Sequence, residues 1–206
     1  MVRIILASGS PRRAELLRAA GFDFETVVTD VDESIRAGES PRSYVRRLAA
    51  EKSAAAMIDV ARPFQGRDRG AESPAPPVMV LGADTTVVID DEILGKPVDD
   101  ADATAMLRRL SGRRHEVMTG VSVRQGASEV GRVEITAVHF AALTDADVAW
   151  YVASGEGRDK AGAYAIQGLA SRFIPRIEGS YSNVVGLPVA CVCELITEIS
   201  STRRDR

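Results

Sequence analysis

A short segment near the start of the chain carries residues suited to binding an anion. Residues 4–7 are apolar and predict a buried strand, and a Ser-Gly-Ser turn follows at 8–10. Pro11 is typical of a helix start, where free amide hydrogens and the helix dipole favour negative charge. Arg12 and Arg13 lie in that first turn and are suited to bidentate phosphate contacts. From these residues alone, a phosphate site and an ordinary turn with two solvated arginines are both open interpretations.

Two carboxylates lie where a cation or a reacting water would explain them. Asp84 stands within the apolar run 78–89, which predicts a central strand covered on both faces, and a carboxylate buried there needs a partner. Glu33 belongs to the acidic segment 29–34, which is either a loop of metal ligands or a solvated connection. A turn at a strand break would equally account for Asp84. These residues alone do not choose between the alternatives.

Two lysines complete the set of candidates. Lys96 is part of a Gly-Lys-Pro turn that returns the chain toward the edge of the sheet near Asp84. Lys52 lies late on a helix whose start is predicted at Ser40 and Pro41. A lone lysine on a helix is usually solvated, so the helix pattern by itself assigns no role to Lys52.

The rest of the chain shows a series of strand and helix signals that must position these residues. They are a helix that begins at Asp99 or Asp100 and ends at Gly112, β segments at 115–123 and 129–140, a helix opened by Thr144 with Asp147 in a capping-box arrangement, a strand at 172–177 and a last helix at 189–199. Residues 63–77 are rich in proline and glycine and predict a mobile surface loop. We expect one domain over residues 1–200 and a frayed tail at 201–206.

Composition excludes several classes of protein. The 206 residues are 45% hydrophobic and 27% charged, as in an ordinary globular chain, and the net charge of −3 gives no sign of a nucleic-acid-binding surface. No apolar run approaches the roughly 18 residues that span a membrane, and no signal-peptide pattern is present. Two histidines are too few for a His-rich metal site. We therefore expect a cytoplasmic protein that binds neither nucleic acid nor membrane.

Six sequence blocks occur in an order and spacing that identify a family resemblance. They are Leu6-Ala-Ser-Gly-Ser-Pro-Arg-Arg, Gly82-Ala-Asp-Thr, Gly95-Lys-Pro, Thr119-Gly-Val, Asp159-Lys-Ala-Gly-Ala-Tyr and Gly179-Ser-Tyr-Ser-Asn-Val-Val-Gly-Leu-Pro. Together they resemble the Maf family of nucleoside triphosphate pyrophosphatases, from about residue 3 to residue 196. The resemblance implies an α/β fold similar to that of the inosine triphosphatases, with a mixed twisted sheet in two lobes, flanking helices and the active site in the central cleft.

The resemblance also implies an activity and its residues. Members of the family hydrolyse a nucleoside triphosphate to the monophosphate and pyrophosphate with a divalent cation, Mg²⁺ or Mn²⁺, and attack is expected at the α-phosphorus. Asp84 matches the catalytic aspartate, and Glu33 matches an acidic position that helps Asp84 to hold the metal. The positions that match the family's substrate-binding residues are Ser8, Arg12, Arg13, Lys52 and Lys96. Whether Asp84 is a metal ligand or a general base stays open, and we favour a shared role.

Substrate preference and biological role are the finer questions. The segment 165–168 resembles the branch of the family that prefers dTTP and UTP, in which the amide of Gln167 would read the pyrimidine edge. Two alternatives are the 7-methyl-GTP branch and a nucleotide-binding regulator of cell division and septum formation. The expected role is a housekeeping enzyme that cleans the nucleotide pool. The partner implied is a small-molecule nucleotide, and the family often forms homodimers.

Overall fold

The centre of the described sheet is a strand of 12 residues. The computed structural model describes residues 3–61 and 77–201. Strands and α-helices in this part of the chain are β1 (Arg3–Ala7), α1 (Pro11–Ala19), β2 (Phe24–Val27), α2 (Pro41–Ala61), β3 (Val78–Ile89), β4 (Glu92–Leu94), α3 (Asp100–Leu110), β5 (Arg114–Gln125), β6 (Ser128–His139), α4 (Asp145–Ser154), β7 (Arg176–Glu178), α5 (Tyr181–Val185) and α6 (Val189–Ser201). Short 3-10 helices lie at Ala161–Ala163 and Leu169–Phe173.

These strands form one mixed sheet in the described part of the chain. The order is β2-β1-β3-β5-β6-β7, and β4 pairs with β3 outside this path. Strand β1 is parallel to both β2 and β3, whereas β3, β5, β6 and β7 pair in antiparallel fashion. The expected α/β fold with a mixed sheet and flanking helices is confirmed.

Two apolar cores lie at opposite ends of β3, which accounts for the two lobes. Leu81 packs in a core with Leu17 of α1 and Leu195 of α6. Val87, six residues further along the strand, packs in a second core with Leu107 of α3 and with residues of α4. Asp84 lies between these two positions, in an unbroken strand. The open alternative of a turn at a strand break is therefore wrong for Asp84.

Helix α2 lies against the sheet at two glycines. A Cβ atom at Gly82 of β3 would lie 2.3 Å from the carbonyl oxygen of Ala49, and one at Gly120 of β5 would lie 2.1 Å from that of Val45. No larger residue fits at either position unless α2 moves. Because Gly120 is the register partner of Asp84, the same contact brings the helix over the part of the sheet that holds this carboxylate.

Local signals in the sequence predict most of the element ends. Asp99 caps α3 by accepting a hydrogen bond from the Asp102 amide, and Thr144 forms the expected capping box with Asp147. The strand predicted at 172–177 is wrong in part, because a 3-10 helix occupies 169–173 and the strand is limited to β7. Apart from Pro77, the predicted loop 63–77 lies outside the described residues, as does the predicted tail after Ser201.

Among the helices of residues 3–61 and 77–201, none combines the length and the apolar character that are needed to cross a bilayer.

The contact of α2 at Gly120 gives a prediction about stability. We expect Gly120→Ala to destabilise the protein by roughly 1–3 kcal/mol, because the added methyl group overlaps the backbone of Val45. The measurement is the urea midpoint of unfolding. Gly95→Ala is the matched control, since a Cβ there meets nothing within 4 Å. Equal midpoints for the two variants would show that α2 does not depend on this close approach.

Candidate active site

One cleft between the two lobes contains every residue predicted for the site. The cleft has a volume of about 630 Å³. It is lined by Ser8, Arg12, Arg13, Glu33, Lys52, Asp84, Lys96 and Gln167, together with other residues. These residues come from separate parts of the chain, so the fold itself brings them together.

The floor of the cleft is a lysine held between two carboxylates. The Lys52 ammonium donates a hydrogen bond of 2.7 Å to Oδ1 of Asp84 and lies 2.6 Å from Oε1 of Glu33. The side chains of Lys52 and Asp84 are each 11% exposed, whereas that of Glu33 is 56% exposed. The close packing of α2 on the sheet places Lys52 over Asp84. Lys52 is therefore part of the site and is not a solvated helix residue.

Burial and charge act differently on the two carboxylates. Burial raises the pKa of Asp84 above its ordinary value, although the positive charges of Lys52 and Arg13 oppose this effect. Burial also raises the pKa of Glu33, but the hydrogen bond and charge of Lys52, with the charges of Lys96 and Arg13, lower it more, so its pKa is lowered overall. The pKa values of the two carboxylates are therefore shifted in opposite directions.

The segment before α1 forms an open helix N-terminus beside this pair. Pro11 is at the first helical position, as predicted, and Ser10 precedes it at the N-cap position, but the Ser10 side chain makes no capping hydrogen bond. The Ser8 hydroxyl instead accepts hydrogen bonds from the Ser10 amide at 3.2 Å and from Arg13 at 3.3 Å. The amides of Arg12 and Arg13 belong to the first turn, where helix geometry supplies no carbonyl partner. This arrangement is favourable for an anion.

Arg13 connects elements of the protein. Its Nε donates to the Gly186 carbonyl at 2.8 Å, Nη1 donates to the Ala83 carbonyl at 2.8 Å and to Ser8, and Nη2 donates to Thr85 Oγ1 at 3.0 Å. The side chain is buried. These contacts use four of the five N–H groups of a guanidinium, so a bidentate phosphate contact by Arg13 is not available in this arrangement. Arg13 ties α1 to β3 and to the turn after α5.

Asp159 and Lys160 are cleft residues to which the sequence analysis gave no individual role. The Lys160 ammonium forms an ion pair with Asp159, whose carboxylate also accepts a hydrogen bond of 3.4 Å from Arg12. Lys160 is 15% exposed, Arg12 is 23% exposed, and both line the cleft. The sequence signal that could have identified Asp159 and Lys160 is their place in the block Asp159-Lys-Ala-Gly-Ala-Tyr, which resembles the family. Arg12, Lys160 and the exposed Lys96 are the cleft cations best placed to meet an anion.

Gln167 lines the cleft on a segment that is held by side-chain hydrogen bonds. Tyr151 accepts a hydrogen bond from the Ala165 amide at 3.1 Å and donates one to Glu156 at 2.8 Å, and Glu156 accepts another from the Leu169 amide at 2.9 Å. Within the described residues, no protein group is hydrogen-bonded to the Gln167 side chain, which is exposed. Its amide is therefore available to a ligand.

Two carboxylates of the cleft are the candidate ligands for a metal ion. No group of three or more His, Cys, Asp or Glu side chains arranged to hold a metal occurs within residues 3–61 and 77–201. Asp84 and Glu33, which share Lys52, provide two oxygen donors at the floor of the cleft. Mg²⁺ typically takes one or two protein carboxylates and completes its coordination with substrate phosphates and water. The pair fits a cation that arrives with a phosphorylated ligand.

The buried ion pair gives a prediction about stability and pH. We expect Lys52→Met to destabilise the protein by roughly 3–5 kcal/mol at neutral pH, because it leaves Asp84 buried without its hydrogen-bond partner. An ionised Asp84 with a raised folded-state pKa destabilises the fold above that pKa, so the deficit should shrink as the pH falls toward about 4. The measurement is unfolding free energy against pH.

Asp84→Asn removes the other member of the ion pair and is compared with Lys52→Met in the same unfolding experiment. Since burial makes the ionised carboxylate less favourable in the folded than in the unfolded state, this variant should unfold at the wild-type temperature or above it. A deficit of Lys52→Met that did not depend on pH would contradict this interpretation of the pair.

Comparison with known proteins gives matches over nearly the whole chain. The family model described as Maf-like protein matches residues 3–199. The dTTP/UTP pyrophosphatase of Shewanella oneidensis is 48% identical over 205 residues, and the match covers 96% of this chain and 98% of the relative. The dTTP/UTP pyrophosphatase of Escherichia coli O157:H7 is 45% identical over 206 residues, and the match covers 100% of this chain and 98% of the relative. Among solved structures, the Staphylococcus aureus Ham1 protein aligns with a TM-score of 0.38 and 13% identity over 68% of this chain and 72% of that chain. The family match and the full-length relatives confirm the resemblance, and the chain belongs to the Maf-like protein family.

Proposed function

We propose that the protein hydrolyses nucleoside triphosphates, with dTTP and UTP preferred, to the monophosphate and pyrophosphate. The observation that carries the proposal is a buried Asp84–Lys52 pair at the floor of a cleft whose mouth is lined by cations and by an open helix N-terminus. The full-length relatives named dTTP/UTP pyrophosphatase support the substrate class. The role would be to remove these nucleotides from the cellular pool.

The charges of the cleft are complementary to a triphosphate. Arg12, Lys96 and Lys160 line its walls, and the N-terminus of α1 adds free amide hydrogens. Fixed positive groups stabilise the negative charge that develops on a leaving pyrophosphate. Lys160 and Arg12 are presently paired with Asp159, so a triphosphate would replace one carboxylate with several phosphate oxygens. Arg13 supports these groups by holding α1 against β3.

A metal-dependent mechanism agrees with the two carboxylates. Glu33 and Asp84 would hold a divalent cation, Mg²⁺ or Mn²⁺, which would supply positive charge to offset the negative charge of the phosphates. The raised pKa of Asp84 makes this carboxylate a stronger base than an exposed aspartate. Asp84 would orient a water molecule toward the α-phosphorus and accept its proton. The ammonium of Lys52 lowers the pKa of Asp84 against the effect of burial, and its hydrogen bond fixes the direction of the carboxylate.

Gln167 is proposed to select the base. Its amide is free of protein partners in the described residues, and the segment around it is held by Tyr151 and Glu156. A primary amide both donates and accepts hydrogen bonds, as the O4 and N3–H edge of thymine or uracil requires. A rigid support makes such recognition selective, because a mismatched base leaves polar groups unpaired.

The first test is a panel of pyrophosphate-release assays. We expect turnover of dTTP and UTP that requires Mg²⁺ or Mn²⁺ and stops with a chelator, and much less with CTP and purine triphosphates. Asp84→Asn should lower kcat by roughly 10²–10⁴-fold, because it removes a base and a metal ligand. Turnover of 7-methyl-GTP in place of dTTP and UTP would support the proposed reaction but assign the protein to the 7-methyl-GTP branch of the family. Nucleotide binding without any turnover would favour a regulator.

The second test concerns base selection. Gln167→Glu removes the amide donor, so kcat/KM should fall by roughly tenfold or more for dTTP and UTP and change less for other nucleotides. The readout is the ratio of kcat/KM values for dTTP and a purine triphosphate. An equal loss for all nucleotides would mean that Gln167 does not contact the base.

A further inference from the structure

The loop that carries Glu33 is held by side chains of α2. Residues 30–36 have no regular secondary structure, and most of them are exposed. Arg47 donates to the carbonyl of Asp32 at 3.4 Å and to that of Ser34 at 3.0 Å, and the Tyr44 hydroxyl donates to the carbonyl of Glu33 at 3.0 Å. Three successive carbonyls of the loop are therefore bonded to one face of one helix.

Arg47 is itself fixed by two carboxylates. Its Nε and Nη2 donate to the two oxygens of Glu39 at 2.6 and 2.7 Å, and its Nη1 donates to Glu51 at 3.1 Å. With the two loop carbonyls, these contacts account for all five N–H groups of the guanidinium. The side chain is 12% exposed and that of Glu39 is 9% exposed. Arg47 also lowers the pKa of Glu39 to about 2, so this partner stays ionised at neutral pH.

The same helix presents Lys52 to the Glu33 carboxylate. Lys52 lies five residues after Arg47 on α2, and its ammonium is 2.6 Å from Glu33 Oε1. Lys52 alone would attract the carboxylate without fixing the backbone that carries it. Arg47 supplies the missing constraint, because it bonds the carbonyls on both sides of Glu33.

We infer that Arg47 is a positioning residue that holds the 32–34 backbone so that the Glu33 carboxylate lies at the floor of the cleft. The inference rests on the proposed function, in which Glu33 helps to hold the divalent cation. Arg47 acts through Glu33 and is not one of the residues that line the cleft. A lysine cannot replace it, because three donors on one nitrogen cannot reach two carboxylates and two carbonyls in a planar array.

The test compares Arg47→Lys with Arg46→Lys. Arg46 lies next to Arg47 on α2 but is hydrogen-bonded to Glu129, so its variant is the matched control. For Arg47→Lys we expect the Mn²⁺ concentration for half-maximal rate to rise by roughly 10–100-fold, with a much smaller change in kcat at saturating Mn²⁺. Hydrogen exchange of residues 32–36 should become faster. Wild-type behaviour of Arg47→Lys in both measurements would overturn the inference.

Direct binding of Mn²⁺ separates this inference from the proposed function. Electron paramagnetic resonance with a non-hydrolysable dTTP analogue gives the metal affinity of Glu33→Gln, Arg47→Lys and the double variant. If Arg47 acts through Glu33, the double variant should bind Mn²⁺ as weakly as Glu33→Gln alone. Additive losses would overturn the inference and leave the proposed function intact. Unchanged affinity in Glu33→Gln would instead remove Glu33 from the proposed metal site and the inference with it.

Tyr44→Phe tests the same loop contacts with a smaller change, in case Arg47→Lys fails to fold. It removes one hydroxyl and one of the three carbonyl contacts but retains the ring beside the Arg47 guanidinium, which is 5.6 Å from the ring centroid. The half-saturating Mn²⁺ concentration should shift in the same direction by a smaller factor. A shift in the opposite direction would contradict the inference.

Discussion

The cost of burying the Asp84 carboxylate is the constraint on which the rest of the site depends. Asp84 lies in the middle of a covered strand, and among the described residues Lys52 is its hydrogen-bond partner. Burial outweighs the attraction of this ammonium, so the pKa of Asp84 is raised. The helix that brings Lys52 can approach only because Gly82 and Gly120 leave room for its backbone. If Asp84 acts as proposed, stability and catalysis make opposite demands at this carboxylate.

The cations around Asp84 have separate tasks. Arg13 uses its N–H groups in hydrogen bonds within the protein and so joins α1, β3 and the turn after α5. It therefore supports the proposed anion site without offering a bidentate contact to a phosphate. Arg12 and Lys160 share Asp159 at the mouth, where an incoming phosphate can take the place of a carboxylate. Lys52 serves both Asp84 and Glu33. The cleft therefore combines a rigid floor with a more exposed wall of positive charge.

The sequence predicted the parts of this arrangement that local patterns encode. The apolar run around Asp84, the caps at Asp99 and Thr144 and the helix start at Pro11 depend on neighbouring residues and are confirmed. The family resemblance supplied the site residues, and the fold gathers them in one cleft. The buried role of Arg13 was not predictable, because its acceptors at Ala83 and Gly186 are distant in sequence. The contacts of Arg47 with the carbonyls of Asp32 and Ser34 were not predictable either, because any residue has a backbone carbonyl and the sequence does not indicate which ones Arg47 reaches.

The proposed function requires a water molecule to attack the α-phosphorus of a bound nucleoside triphosphate. The most direct measurement is a single turnover of dTTP in oxygen-18 water, with both products analysed by mass spectrometry. We expect one labelled oxygen in thymidine monophosphate and none in pyrophosphate. Label in pyrophosphate, or release of orthophosphate, would place the attack at another phosphorus and contradict the proposed function.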